Sequence, residues 1–145
     1  MKKWIALVVL CMAIPTAAGD LVSLATFEDY RVLVDAAGIV SSGTYVRSWF
    51  RWDFSFAQRA PNAQHYLSLV ALVYFDCVRR QTGTGQMIFY KGSKGTGEPI
   101  DVLAAAPLHV KEHMHDVVPG TLGEAQLTYV CDNPRKPGAP AVPAS

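Results

Sequence analysis

The sequence predicts an α+β fold: an antiparallel β-sheet of about five to six strands, with one C-terminal helix tethered to a sheet face by a disulfide. Three observations carry this expectation. Strand-forming runs succeed one another between turn residues, the helix signal comes late, and the cysteines left after N-terminal processing join the two parts.

The strands come first. Residues 31–35 (Arg-Val-Leu-Val-Asp) read as a short strand broken by Gly38, and 39–41 as a second before the Ser41-Ser42-Gly43 turn. Residues 44–54 are aromatic with strand propensity throughout, and 58–64, holding Ala60-Pro61-Asn62, read as a loop. Residues 66–80 are the strongest strand. Thr82-Gly83-Thr84-Gly85 is a hairpin turn by composition, and 86–91 return as its partner. Residues 92–97 form a glycine-rich loop before a further strand at 100–105. In the helix, Thr121-x-x-Glu124 is a capping box, which satisfies orphan amides at a helix start. Leu127, Val130 and Cys131 then share one helical face.

The chain divides into three parts: a signal peptide at 1–18, one domain at 19–132 and a Pro/Ala-rich tail at 133–145. Lys2 and Lys3 precede the apolar run from Trp4 to Ile14, and Pro15, Thr16, Ala17 and Ala18 supply the small residues of a cleavage site. The run is about half of what a membrane-spanning helix needs. Cleavage is expected after Ala18, with Gly19 as the alternative boundary. Cys11 follows Leu10, where lipoprotein processing wants a small residue, so lipidation is not expected. The tail cannot build a core and reads as disordered or extended. The expected destination is the periplasm, the outer-membrane surface or the exterior.

Removing residues 1–18 from the 145 leaves 127, enough for one core. The 13 Lys plus Arg fall to 11 against 12 Asp plus Glu, a formal charge of −1, which argues against a nucleic-acid partner. No later segment is apolar enough to span a membrane. Cys77 and Cys131 remain, and in an exported chain they read as one disulfide.

Alternate residues of 66–80 give two sets, and both are apolar in the middle. Cys77 places Leu67, Leu69, Ala71, Val73 and Phe75 toward the helix. Val70, Leu72 and Tyr74 then need other cover, from a partner subunit, a ligand, sheet curvature, the 58–64 loop or the tail. Left in water they expose about 300 Å² of apolar surface, which predicts a symmetric homodimer closed over that face.

An ordered set of segments resembles the surface-adhesin protein E family of exported proteobacterial proteins. The set is Val32-Leu33-Val34-Asp35 followed by Ile39, then Tyr45-Val46-Arg47-Ser48-Trp49, then Phe75-Asp76-Cys77 with Arg79-Arg80. Phe89-Tyr90 before a Gly-Ser loop follows, and Val118-Pro119-Gly120-Thr121-x-Gly123-Glu124 leads to Tyr129-Val130-Cys131. The resemblance runs from Phe27 to Asp132. It implies the same sheet with a disulfide-tethered helix, and an adhesin that binds host extracellular-matrix proteins, dimerises and binds haem. The family pattern has a tryptophan shortly before the Val-Pro-Gly segment. Here that stretch is Glu112-His113-Met114-His115-Asp116, so no site built on that aromatic carries over.

Three groups are candidate binding residues. Tyr45, Arg47, Trp49 and Arg51, with Asp53, alternate onto one strand face as an aromatic-basic stripe suited to an acidic or aromatic partner. The same arginine stems could instead cover aromatic surface. Arg79, Arg80, Lys91 and Lys94 cluster around the central hairpin if its loop is Gly83-Thr84, which would set Asp76 opposite Lys91. Those cations form either a basic patch or a solvated face. His109, His113 and His115, with Met114, are the metal or haem candidates, with solvated loop histidines as the alternative. No nucleophile motif, phosphate loop or acid–base carboxylate pair occurs, so no catalysis and no obligatory cofactor is expected. The sequence therefore predicts an exported, non-enzymatic protein that binds a macromolecular partner at the cell surface. The alternatives are a periplasmic haem- or metal-binding module and a structural component of the cell envelope.

Overall fold

The computed structural model describes residues 20–134, so the expected signal peptide and all but the first residues of the tail lie outside it. Its centre is the antiparallel pairing of two long strands, β4 (Tyr45–Arg59) and β5 (His65–Asp76). Both are rich in β-branched and aromatic side chains, which pack well on a pleated surface. β2 (Tyr30–Asp35) and β1 (Leu21–Thr26) continue the sheet beyond β4, and β6 (Gln81–Tyr90) and β7 (Pro99–Ala104) continue it beyond β5. β3 (Val40–Ser42) also pairs with β4, and β8 (His115–Asp116) with β6.

The sheet has eight strands, more than the five to six expected. The additions are β1, a largely exposed edge strand, and the two-residue β8, which exists only through its pairing to Gln81 and Thr82. β4 also runs on to Arg59 past an irregularity between Asp53 and Gln58, taking in part of the expected loop.

The central hairpin turns at 77–80 and not at Thr82-Gly83-Thr84-Gly85. Asp76, only 4% exposed, explains the position. Its Oδ1 accepts the amides of Val78 at 3.0 Å and Arg79 at 2.9 Å, a local turn that ends the strand, and Arg80 takes a positive φ. Asp76 consequently faces Gln81, and not Lys91. Gly83 and Gly85 are inside β6 because other groups crowd them. A Cβ on Gly83 would stand 2.8 Å from Val110, and one on Gly85 would stand 2.7 Å from the Tyr74 ring.

Among the described residues two α-helices lie against the sheet where one was expected. The unexpected α1 (Pro107–Glu112) has Pro at its start and buries only Val110, against Gly83. α2 (Leu122–Asp132) starts at Thr121 as foreseen, but without the reciprocal capping box. The Thr121 hydroxyl donates to the Val118 carbonyl at 2.6 Å, and Glu124 accepts the Gly120 amide at 2.8 Å. Leu127 and Val130 of α2 share the core cluster with Val34 of β2, Phe50 of β4, and Val73 and Phe75 from the expected helix side of β5. Burying each of the two phenylalanines is worth about 1.5–3 kcal/mol. The disulfide between Cys77 and Cys131 holds α2 there, with Cα atoms 5.8 Å apart across 54 residues of chain. No helix among the described residues is long and apolar enough to cross a membrane.

At the far end of the sheet from the disulfide, aromatic rings run strand to strand. Centroids are 5.8 Å apart for Tyr30 and Phe54, 5.6 Å for Phe54 and Tyr66, and 5.0 Å for Tyr66 and Phe89. Burial among these rings disfavours the phenolate and raises the Tyr66 pKa above 10.0. A raised folded-state value means that the linked stability is intact below pH 10.0 and is lost as pH rises through the folded value.

Two predictions follow from these contacts. Replacing both Cys77 and Cys131 with Ala lowers unfolding free energy by up to about 4 kcal/mol in urea titrations, with the sheet's circular dichroism retained. Tyr66→Phe makes the urea midpoint fall less steeply above pH 10.0 than in the wild type. Equal slopes in the two proteins would contradict that assignment.

Candidate functional site

Alternation along β4 turns Val46, Ser48 and Phe50 into the core under α2 and leaves Tyr45, Arg47, Trp49, Arg51 and Asp53 on the opposite face. Directly across on β5 stand Tyr74 beside Arg47, Leu72 beside Trp49 and Val70 beside Arg51. This face is partly covered, though not by the 58–64 loop, and the tail expected as an alternative cover lies outside the described residues beyond 134. α1 lies over one end, where Tyr74 is 5% exposed. The loop 92–97, with its 3-10 turn Ser93–Gly95, folds over the other. The apolar exposure expected of Val70, Leu72 and Tyr74 is therefore reduced, with Val70 and Leu72 half-buried between the two covers.

Side-chain anchors hold the loop. Ser68 is fully buried; its hydroxyl donates to the Gly92 carbonyl at 2.6 Å and accepts the Gly95 amide at 2.8 Å. Asp53 accepts the Lys94 amide at 3.1 Å. The same carboxylate accepts Arg51 at 2.9 and 3.2 Å and pairs with Arg31 at 3.6 Å. Arg51 is thus neutralised within the fold. Arg47 has no carboxylate within ion-pair distance among the described residues, and neither has Lys111 of α1, whose Nζ sits 4.7 Å from the Tyr45 ring centroid.

Two clefts flank the Trp49–Leu72 step. One, of about 420 Å³, is lined by Val40, Ser41, Tyr45, Arg47, Tyr74 and Lys111. The other, of about 350 Å³, is lined by Trp49, Arg51, Val70 and Lys94 among others. Lys111 was missed as a site residue because α1 was missed. Pro107 following Ala106 was the available signal, since Pro favours the first helical position.

The four hairpin cations are not brought together. Arg79 and Arg80 sit at the 77–80 turn, where Arg80 pairs with Glu124 of α2 at 2.6 Å. Lys91 and Lys94 sit past the other end of β6. The histidines do share one cleft, of about 300 Å³, beside Gly83 and Thr84. The His109 and His113 rings pack against each other tilted by 31°, with centroids 4.2 Å apart, and His113 Nδ1 contacts the His109 carbonyl at 2.9 Å. Rings this close leave no room between them for a haem iron with the two as its axial ligands. No group of three or more His, Cys, Asp or Glu among the described residues is placed to hold a metal.

The Asp53 anchor makes a direct prediction. Asp53→Ala releases the Lys94 amide, speeds its hydrogen exchange and costs about 1–3 kcal/mol. Unchanged exchange at Lys94 would contradict the anchoring role.

A family model described as surface-adhesin protein E matches residues 22–132. Among solved structures, crystal form II of Haemophilus influenzae protein E aligns with a TM-score of 0.57 at 19% identity, covering 80% of this chain and 89% of that one. The selenomethionine form of the same species' protein E gives 0.56 at 18% identity, covering 80% and 88%. Protein E from a non-typeable Haemophilus influenzae gives 0.54 at 19%, covering 80% and 77%. No curated protein matches the sequence significantly.

Proposed function

Because the chain belongs to the surface-adhesin protein E family, we propose that it is an exported, non-enzymatic adhesin that engages a protein partner through the sheet face opposite α2. The observation that carries this reading is the half-covered strip between α1 and the 92–97 loop. There Trp49 lies across from Leu72, and Arg47 keeps an uncompensated charge beside them. Tyr, Trp and Arg are the side chains that dominate binding energy at protein interfaces, and an apolar step rimmed by cations suits an acidic or aromatic partner surface. Host extracellular-matrix proteins are the partner class the family suggests.

Export rests on the basic and apolar N-terminal segment, and the non-enzymatic role on the family together with the lack of catalytic motifs in the sequence. A second copy of the chain fits the same strip, since Val70 and Leu72 remain half-buried there. Self-association as a two-fold dimer would then compete with partner binding.

Plates coated with decellularised matrix test the adhesive face. Trp49→Ala is expected to weaken binding about tenfold or more with the thermal melt unchanged. Equal binding of the two proteins would remove this face from adhesion. Protease treatment of intact cells tests the location, and a protein protected inside the envelope could not be an adhesin.

A further inference from the structure

We propose that the cleft between α1 and the β3–β4 hairpin is a binding site for an organic carboxylate carried on an apolar or aromatic stem. The cleft holds about 420 Å³, room for a group the size of a large side chain. Its apolar walls are Val40, Pro107 and the ring of Tyr74. The charged groups that line it are Arg47 and Lys111, both cationic and both half-buried, and the lining contains no carboxylate.

Neither cation has an ion-pair partner among the described residues, although Arg31, Arg51 and Arg80 all do. Asp76, the acid that ends β5 next to Tyr45, is buried and already accepts two turn amides. The Tyr45 ring holds the Lys111 ammonium without neutralising it. A guanidinium takes a carboxylate through two parallel hydrogen bonds, and the apolar walls take the stem.

The ligand could be a free acid or the C-terminus of a polypeptide, and the chemistry is the same for both. The inference goes beyond the adhesive reading, because it is measured on the isolated protein with small probes and stands or falls separately from adhesion.

Titration of the ¹⁵N-labelled mature chain, followed by amide shifts, tests it. The probes are 3-phenylpropionate, 3-phenylpropionamide, inorganic phosphate, and acetyl-Gly-Gly-Phe with a free or an amidated C-terminus. Saturable shifts are expected at Ser41, Val46, Arg47 and Lys111 with the acid and not with its amide. Arg47→Gln should weaken the acid about tenfold or more, and Lys111→Gln by a smaller factor. Arg51→Gln, whose charge Asp53 already neutralises, should leave it unchanged. Tighter binding of the free-acid peptide than of phenylpropionate would identify a polypeptide terminus, and exclusion of the peptide would identify a free acid; either supports the site. Equal shifts from acid and amide would overturn it, as would equal affinity for phosphate or no loss in Arg47→Gln and Lys111→Gln. If Arg47→Gln fails to fold, Lys111→Gln on the short surface helix carries the test alone.

Discussion

Everything in this fold answers one constraint: the central strand β5 is apolar on both faces. From Ser68 to Asp76 it is paired on both sides, with β4 and β6, and its side chains then demand cover above and below the sheet. Ala71, Val73 and Phe75 go to one side and Val70, Leu72 and Tyr74 to the other. A domain of this size has few elements to spare, and each face receives a different kind of cover.

The α2 face is closed by packing and by a covalent bond. Leu127 and Val130 sit in the core, and Cys131 is joined to Cys77 just beyond the end of β5. The opposite face is closed only at its ends. α1 contributes a single buried side chain, Val110, and the 92–97 loop hangs on the polar anchors Ser68 and Asp53. Elements held by so few buried contacts open locally at low cost. The unfinished cover is what leaves Trp49 and Leu72 available between two clefts. On the proposed reading, binding capacity comes from a core strand that the fold does not finish burying.

Much of this was legible in the sequence, and the failures have physical reasons. Period-two alternation placed Tyr45, Arg47, Trp49 and Arg51 together on one face, and the two cysteines outside the expected signal peptide identified which face α2 would take. The Thr-Gly-Thr-Gly run misled because glycine serves close approach as readily as turning. Its glycines make room for Val110 and Tyr74, while the turn is made by a buried aspartate whose role depends on its side-chain hydrogen bonds. That misplacement also joined Arg79 and Arg80 to Lys91 and Lys94, which lie at opposite ends of the hairpin. α1 escaped notice because six residues with one buried position show no helical period. Lys111 was hidden with it. Which arginine keeps a free charge, Arg47 rather than Arg51, depends on Asp53 and is decided only in three dimensions.

The central claim is that the face opposite the disulfide-tethered helix is the binding face. Hydroxyl-radical footprinting of the mature protein, free and bound to matrix-coated beads, tests it most directly. The account predicts protection concentrated at Tyr45, Trp49 and Leu72, with Leu122 and Tyr129 of α2 oxidised equally in both states. Protection of the α2 side chains with Trp49 unchanged would contradict it.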